Sequence, residues 1–141
     1  MNRIFWDTNL FIYLLEGSGE SSRRVRRLLD RMAERNDELL TSTLTVGEVL
    51  VRPIEAGDTG LVNRYEEFLD SPGVQVIPFD RACARIYGSL RVDRTIKAPD
   101  AIQLACAASA GTNLFITNDS RLSRKTIPHV DFIVPLQQAW L

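Results

Sequence analysis

Arg3-Ile-Phe-Trp-Asp-Thr-Asn-Leu-Phe-Ile-Tyr-Leu-Leu15 decides the fold. Ile4-Phe5-Trp6 is a short branched and aromatic run of the kind that fills a buried strand. Asp7-Thr8-Asn9 then changes the chemistry at once, and an apolar stretch with helical spacing follows from Thr8 to Leu15. A strand leading straight into a helix, with acid and hydroxyl at the junction, is the unit of an α/β sheet. In such sheets ligands bind beyond the carboxyl ends of the strands, so the residue after each apolar run carries the most information.

The same alternation continues along the chain. Further strand candidates are Leu39 to Thr41, Val74 to Ile77, Leu114 to Thr117 and Phe132 to Val134. The clearest helix spans about Ser21 to Asn36, where Val25, Leu28, Leu29 and Met32 form one apolar stripe opposite Arg23, Arg24, Arg26, Arg27, Arg31 and Arg35. Thr43 to Val51, Leu61 to Leu69, Arg81 to Val92 and Pro99 to Ala110 complete the helices, with Pro99 suited to a first turn and Gly111 to a stop. Glu16-Gly-Ser-Gly-Glu20 and Pro53-Ile-Glu-Ala-Gly-Asp58 read as loops. Strands joined through helices lie parallel with helices on both faces, so the expected architecture is a single-domain α/β/α sandwich over residues 1–141, around a five-stranded, mostly parallel sheet.

Composition bounds the function. The chain has 141 residues, 45% of them hydrophobic and 25% charged, which is ordinary for a globular domain and rules out collagen-like or wholly disordered readings. Its 17 basic and 18 acidic residues give a net charge of -1, so any phosphate binding must come from a local patch. No apolar run reaches the length of a membrane span and charge interrupts the first residues too soon for a signal peptide, which points to the cytoplasm. Cys83 and Cys106 stand apart without a metal-binding or redox motif and are expected to be reduced core thiols. His129, after Pro128, reads as a loop residue.

Four acids occupy the informative places: Asp7 after the first strand, Glu48 one turn into the helix after Leu39-Leu-Thr41, Asp100 at the start of a helix, and Asp119 after Leu114 to Thr117. Taken singly, each has a structural use. Asp7 and Asp119 suit caps, Asp100 suits a helix's positive end, and Thr45-Val-Gly-Glu48 matches a capping box. Taken together, with the first strand central, all four reach one edge and share one cleft. Bare carboxylates crowded this way repel one another and raise their own pKa values. A hard divalent ion, Mg²⁺ or Mn²⁺, relieves that, and no soft ligand competes for the site. Paired metals about 4 Å apart polarise a phosphate, activate water and stabilise a leaving oxygen, which are the needs of phosphodiester hydrolysis.

Phe5-Trp-Asp7-Thr-Asn9, Thr41-Ser-Thr-Leu-Thr-Val-Gly-Glu48-Val, Lys97-Ala-Pro-Asp100-Ala-Ile-Gln-Leu-Ala105 and Phe115-Ile-Thr-Asn-Asp119 together resemble the motifs of the PIN-domain ribonucleases, and within them the VapC-type toxins of toxin–antitoxin modules. The resemblance spans the whole chain. It implies a metal-dependent endoribonuclease, the toxin of a type II toxin–antitoxin pair, with Mg²⁺ or Mn²⁺ held by the four acids. Asp7 would be the central ligand and Asp100 its closest partner. Glu48 would be a ligand or the group orienting the water, and Asp119 the acid nearest a second metal. Thr8, Asn9 and Thr117 would position acids or substrate, and Arg52 and Lys97 are the expected phosphate contacts, with the six-arginine face a further RNA or antitoxin surface. The resemblance also implies an RNA substrate, an antitoxin partner and a homodimer.

Rival readings are a general RNA-processing PIN nuclease and a non-catalytic PIN-fold module that binds protein or RNA. A dehalogenase-type phosphatase would need a second aspartate where Asn9 stands. A receiver domain would need an acceptor aspartate after a middle strand and a lysine after a late one; Val74 to Ile77 is assigned to an edge, and Lys97 opens a helix.

Overall fold

The computed structural model describes residues 1–139. Five strands, β1 (Arg3–Trp6), β2 (Glu38–Ser42), β3 (Val74–Ile77), β4 (Thr112–Thr117) and β5 (Val130–Pro135), form one sheet in the order β3-β2-β1-β4-β5. Every pairing between neighbouring strands is parallel, so the expected "mostly parallel" sheet is parallel throughout. β1 is central as its composition demands, flanked by β2 and β4. A single antiparallel bridge, Ile127 with Val130, lies outside the named strands.

Alternation along the strands divides the core in two. Ile4, Trp6, Leu39, Leu114 and Ile116 face one layer, where they pack with Leu10, Phe11, Val25, Leu28, Met32, Val49, Leu61 and Tyr65 from helices α1 (Thr8–Glu16), α2 (Glu20–Arg35), α3 (Thr43–Glu55) and α4 (Thr59–Leu69). Phe5, Leu40 and Phe115 face the other layer, against α5 (Arg81–Leu90) and α6 (Ala98–Ala110). Phe5 and Phe115 stack across the β1–β4 pair with ring centroids 5.0 Å apart. Because both faces are covered, the middles of the central strands are apolar and their polar side chains stand at the strand ends.

The helix boundaries follow from local chemistry. Asp7, Asp58 and Asp80 cap α1, α4 and α5 by accepting from the N–H groups of Thr8, Leu61 and Cys83. α2 ends on Asn36 in the left-handed conformation, and Gly111, with φ of 72°, ends α6. Several boundaries differ from the sequence reading by one or two residues, and the end of α3 differs most. Pro53 does not open a loop, because α3 continues through it to Glu55. The missing N–H costs one bond near the end of the helix, where the buried ring still packs and the Pro53 carbonyl accepts from the Asp58 N–H. The connection to α4 is therefore only residues 56–58. Cys83 and Cys106 are buried free thiols between α5 and α6, and burial, with Cys83 alongside, pushes the Cys106 thiol up to about 12. No helix among the described residues is long and apolar enough to cross a membrane.

Candidate active site

The carboxyl ends of β1, β2 and β4 meet the starts of α1, α3 and α6, and the predicted acids emerge there. Asp7 directly follows β1, and its N–H donates to the Ile116 carbonyl of β4 at 3.0 Å, which continues the sheet through the acid's own backbone. Its carboxylate accepts from the Thr8 N–H at 2.9 Å and from the Thr117 hydroxyl at 2.9 Å. Capping α1 and facing the cleft are thus one role of one side chain. Thr117, fully buried, also accepts from the Asp119 N–H at 3.0 Å, so it ties the two acids' positions together.

Asp7, Asp100 and Asp119 line one open cleft of about 420 Å³ with Asn9, Thr117 and Arg121. That is ample for a hydrated ion and part of a substrate, since a water in bulk occupies about 30 Å³. The expectation that all four acids share this cleft needs correction. Glu48 lies on the surface of α3 in an adjoining groove with Thr8, Ile12, Glu16, Val51 and Arg52, and Asn9 borders both spaces. The groove belongs to Glu48 because the capping box does not form. Thr45 is turned inward to other hydroxyls, and Glu48 instead accepts from the Thr8 hydroxyl at 2.6 Å.

The charges of these acids differ by environment. Burial pushes the Asp7 carboxyl above its ordinary value, and the Glu48 charge adds to the rise against opposing hydrogen bonds from Thr8, Thr117 and Gln103. Asp100 is raised as well, first by burial and then by the charges of Asp7 and Asp119. Asp119 goes the other way. Arg121 grips it with two side-chain bonds, Nε to Oδ1 at 3.1 Å and Nη2 to Oδ2 at 2.9 Å, and holds its carboxyl below the ordinary range. The Asp119 carboxylate also accepts from the Arg121 N–H at 2.9 Å, the turn-capping role its position suggested.

The phosphate candidates fall on opposite sides. Lys97 sits at the start of α6, exposed, where its charge acts on Asp100 and Asp119. Arg52 lines the Glu48 groove. On α2, Arg23, Arg24 and Arg27 gather around Glu20, and Arg26, Arg31 and Arg35 are exposed. His129 is remote from the cleft: its carbonyl accepts from the Thr112 N–H at the opposite end of the sheet.

Among the described residues no three His, Cys, Asp or Glu side chains are close enough together to enclose a metal ion by themselves. The donor chemistry nevertheless fits a hard cation. Two carboxylates raised by burial and repulsion stand in an open, oxygen-lined cleft, and Mg²⁺ typically takes one or two carboxylates and completes its shell with water and phosphate.

The PIN domain model matches residues 4–127. The chain belongs to the PIN-domain family. No curated protein matches it in sequence. Among solved structures it is similar to VapBC2 from Rickettsia felis bound to a DNA fragment from their promoter, with a TM-score of 0.75 at 18% identity, covering 94% of this chain and 98% of that one. DNA-bound VapBC from Salmonella typhimurium gives a TM-score of 0.74 at 19% identity, covering 96% and 99%. FitAcB from Neisseria gonorrhoeae gives 0.64 at 25% identity, covering 83% and 88%. The PIN family is the one the four motifs resemble, and its match runs through all of them.

Arg121, which lines the cleft and grips Asp119, and Gln103 both escaped the sequence reading. Gln103, buried on α6, donates from Nε2 to Thr45 at 2.8 Å, to Thr8 at 3.2 Å and to Asp7 at 3.4 Å. A lone amide within the small and apolar Ala101-Ile-Gln-Leu-Ala-Cys-Ala107 was the available signal.

Proposed function

We propose that this PIN-domain chain is a divalent-metal-dependent endoribonuclease and the toxin of a type II toxin–antitoxin pair. The observation that carries the enzymatic reading is the pair Asp7 and Asp100, two partly buried carboxylates in one open cleft, both raised by burial, with the Asp7 charge adding to the rise of Asp100. A protein tolerates such repulsion where function requires it, and a hard cation removes it. Asp7 and Asp100 would hold Mg²⁺ or Mn²⁺, with Asp119 available beside them once Arg121 turns away. The ion supplies Lewis acidity towards a phosphoryl oxygen.

This chain's own groups do the rest. Glu48 engages the Thr8 hydroxyl through Oε1 and has a second oxygen with which to orient the attacking water and take its proton. Water oxygen bonds to phosphorus as the ester oxygen leaves. Lys97, Arg121 and, from the groove, Arg52 supply positive charge for the RNA backbone, so a chain of net charge -1 binds phosphate only locally. The toxin reading is supported by the VapBC and toxin–antitoxin complexes among the similar structures, and it carries with it an antitoxin partner and a homodimer.

Incubation of the purified chain with cellular RNA tests the enzymatic reading. Cleavage should stop in chelator, return with Mg²⁺ or Mn²⁺, and fall by about a hundredfold or more in Asp7→Asn. Cleavage that persists in chelator, or an Asp7→Asn chain as fast as the wild type, contradicts it. For the toxin reading, expression of the wild-type chain should arrest growth, and Asp7→Asn should not.

A further inference from the structure

Beneath the cleft and the groove runs a chain of hydroxyls with Gln103 at its centre. Each hydroxyl has one hydrogen to give. That of Thr8 goes to Glu48 at 2.6 Å, and that of Thr41 has the Thr45 hydroxyl at 2.8 Å and the Trp6 carbonyl at 3.0 Å within reach. Thr45 also lies 3.2 Å from Thr8, whose hydrogen is committed to Glu48, so Thr45 can donate to Thr8 while it accepts from Thr41 and Gln103. The amide nitrogen gives one hydrogen to Thr45 and the other to the space between Thr8 and Asp7. On its far side the amide oxygen accepts from the Ser42 hydroxyl. The reversed amide would place its oxygen against the Asp7 carboxylate, whereas with Nε2 towards Asp7 every contact of the amide pairs a donor with an acceptor.

We infer that Gln103 is the positioning residue of this site, holding Asp7 directly and Glu48 through Thr8 in one frame. The inference rests on the reading of these acids as the reaction centre. A buried amide in a helix of small and apolar residues costs stability unless all its bonds are made, and here those bonds end on the carboxylates of both the cleft and the groove. Gln103 thus joins two spaces that no carboxylate spans alone. It touches neither substrate nor solvent, so its effect is on where the acids stand.

Calorimetric titration of Mn²⁺ into the full-length chain, beside its melting temperature and RNA cleavage kinetics, tests this. Gln103→Met keeps length and volume and removes the donors. It should weaken Mn²⁺ binding about tenfold, the lower range for groups that orient metal ligands, and lower kcat while the KM for RNA holds. Thr8→Val cuts only the branch to Glu48 and should weaken Mn²⁺ binding less. The double variant should be no worse than Gln103→Met, because both cut one path. Should Gln103→Met not fold, Thr8→Val decides alone through the same titration. A folded variant that binds Mn²⁺ and turns over RNA like the wild type overturns the inference and leaves the proposed function standing. A wild-type chain that binds no Mn²⁺ overturns both.

Discussion

The two ends of the sheet treat acidic residues in opposite ways. At the amino ends of the strands Glu38 pairs with Arg3, Asp131 accepts from the Asn113 amide at 3.0 Å, and Asp37 accepts from the Asn2 N–H at 2.8 Å through Oδ1 while its Oδ2 is buried without a partner. At the carboxyl ends burial raises both Asp7 and Asp100, the Asp7 charge adds to the rise of Asp100, and the Glu48 charge adds to that of Asp7. A third setting makes the contrast sharper: Lys125 and Thr95 hold the Asp93 carboxyl at about 2. Nothing in the chain's composition forbade matching the central acids too. Repulsion gathered at this edge is what the proposed cation would relieve.

The largest effect expected from this contrast is on catalysis. Asp100→Asn should cut divalent-dependent cleavage by about a hundredfold or more, whereas Glu38→Gln at the other end should leave cleavage at the wild-type rate. Equal losses at the two ends would erase the distinction.

A smaller effect lies in the pH dependence of stability without divalent ions. Carboxyls raised in the folded state bind protons more tightly there than in the unfolded chain, so their penalty is absent below the ordinary carboxylate value of about 4 and grows as pH rises through the raised one. The melting temperature of Asp100→Asn should therefore gain on the wild type between about pH 4 and pH 7, and Mg²⁺ should close the gap. Asp93→Asn should show the opposite sign, because a lowered carboxyl stabilises above its ordinary value and loses that as pH falls towards about 2. Parallel melting curves for both variants would remove the electrostatic reading.

Arg121→Ala comes next. Removing the guanidinium that grips Asp119 frees an acid for the cleft and takes away a positive charge, so calorimetry should find Mn²⁺ bound a few-fold more tightly. Weaker binding would mean that Arg121 organises the site. The smallest expected change is at the matched end, where Arg3→Ala should cost no more than about 1 kcal/mol of stability in urea unfolding and nothing in cleavage.

Much of this contrast was legible in the order of residues. Short apolar runs each followed by an acid place β1 at the centre and three acids at one edge, because strand period and crossover geometry leave little choice. The division of the acids between cleft and groove was not legible. It depends on whether Glu48 turns back to its own helix or across to Thr8, and Thr45 decides that by joining a buried network built from three separate segments. Local pattern favoured the capping box, and tertiary contacts overrode it. Pro53 misled in the same way, since a proline near a helix end costs a single bond that packing offsets.

The most direct test of the central claim is the melting temperature of the wild-type chain and of Asp7→Asn at pH 7, each with and without Mn²⁺. Relief of repulsion by a bound cation predicts that Mn²⁺ raises the wild-type melting temperature by several degrees and leaves Asp7→Asn where it was. A wild-type chain unmoved by Mn²⁺, or an Asp7→Asn chain stabilised just as much, contradicts the account.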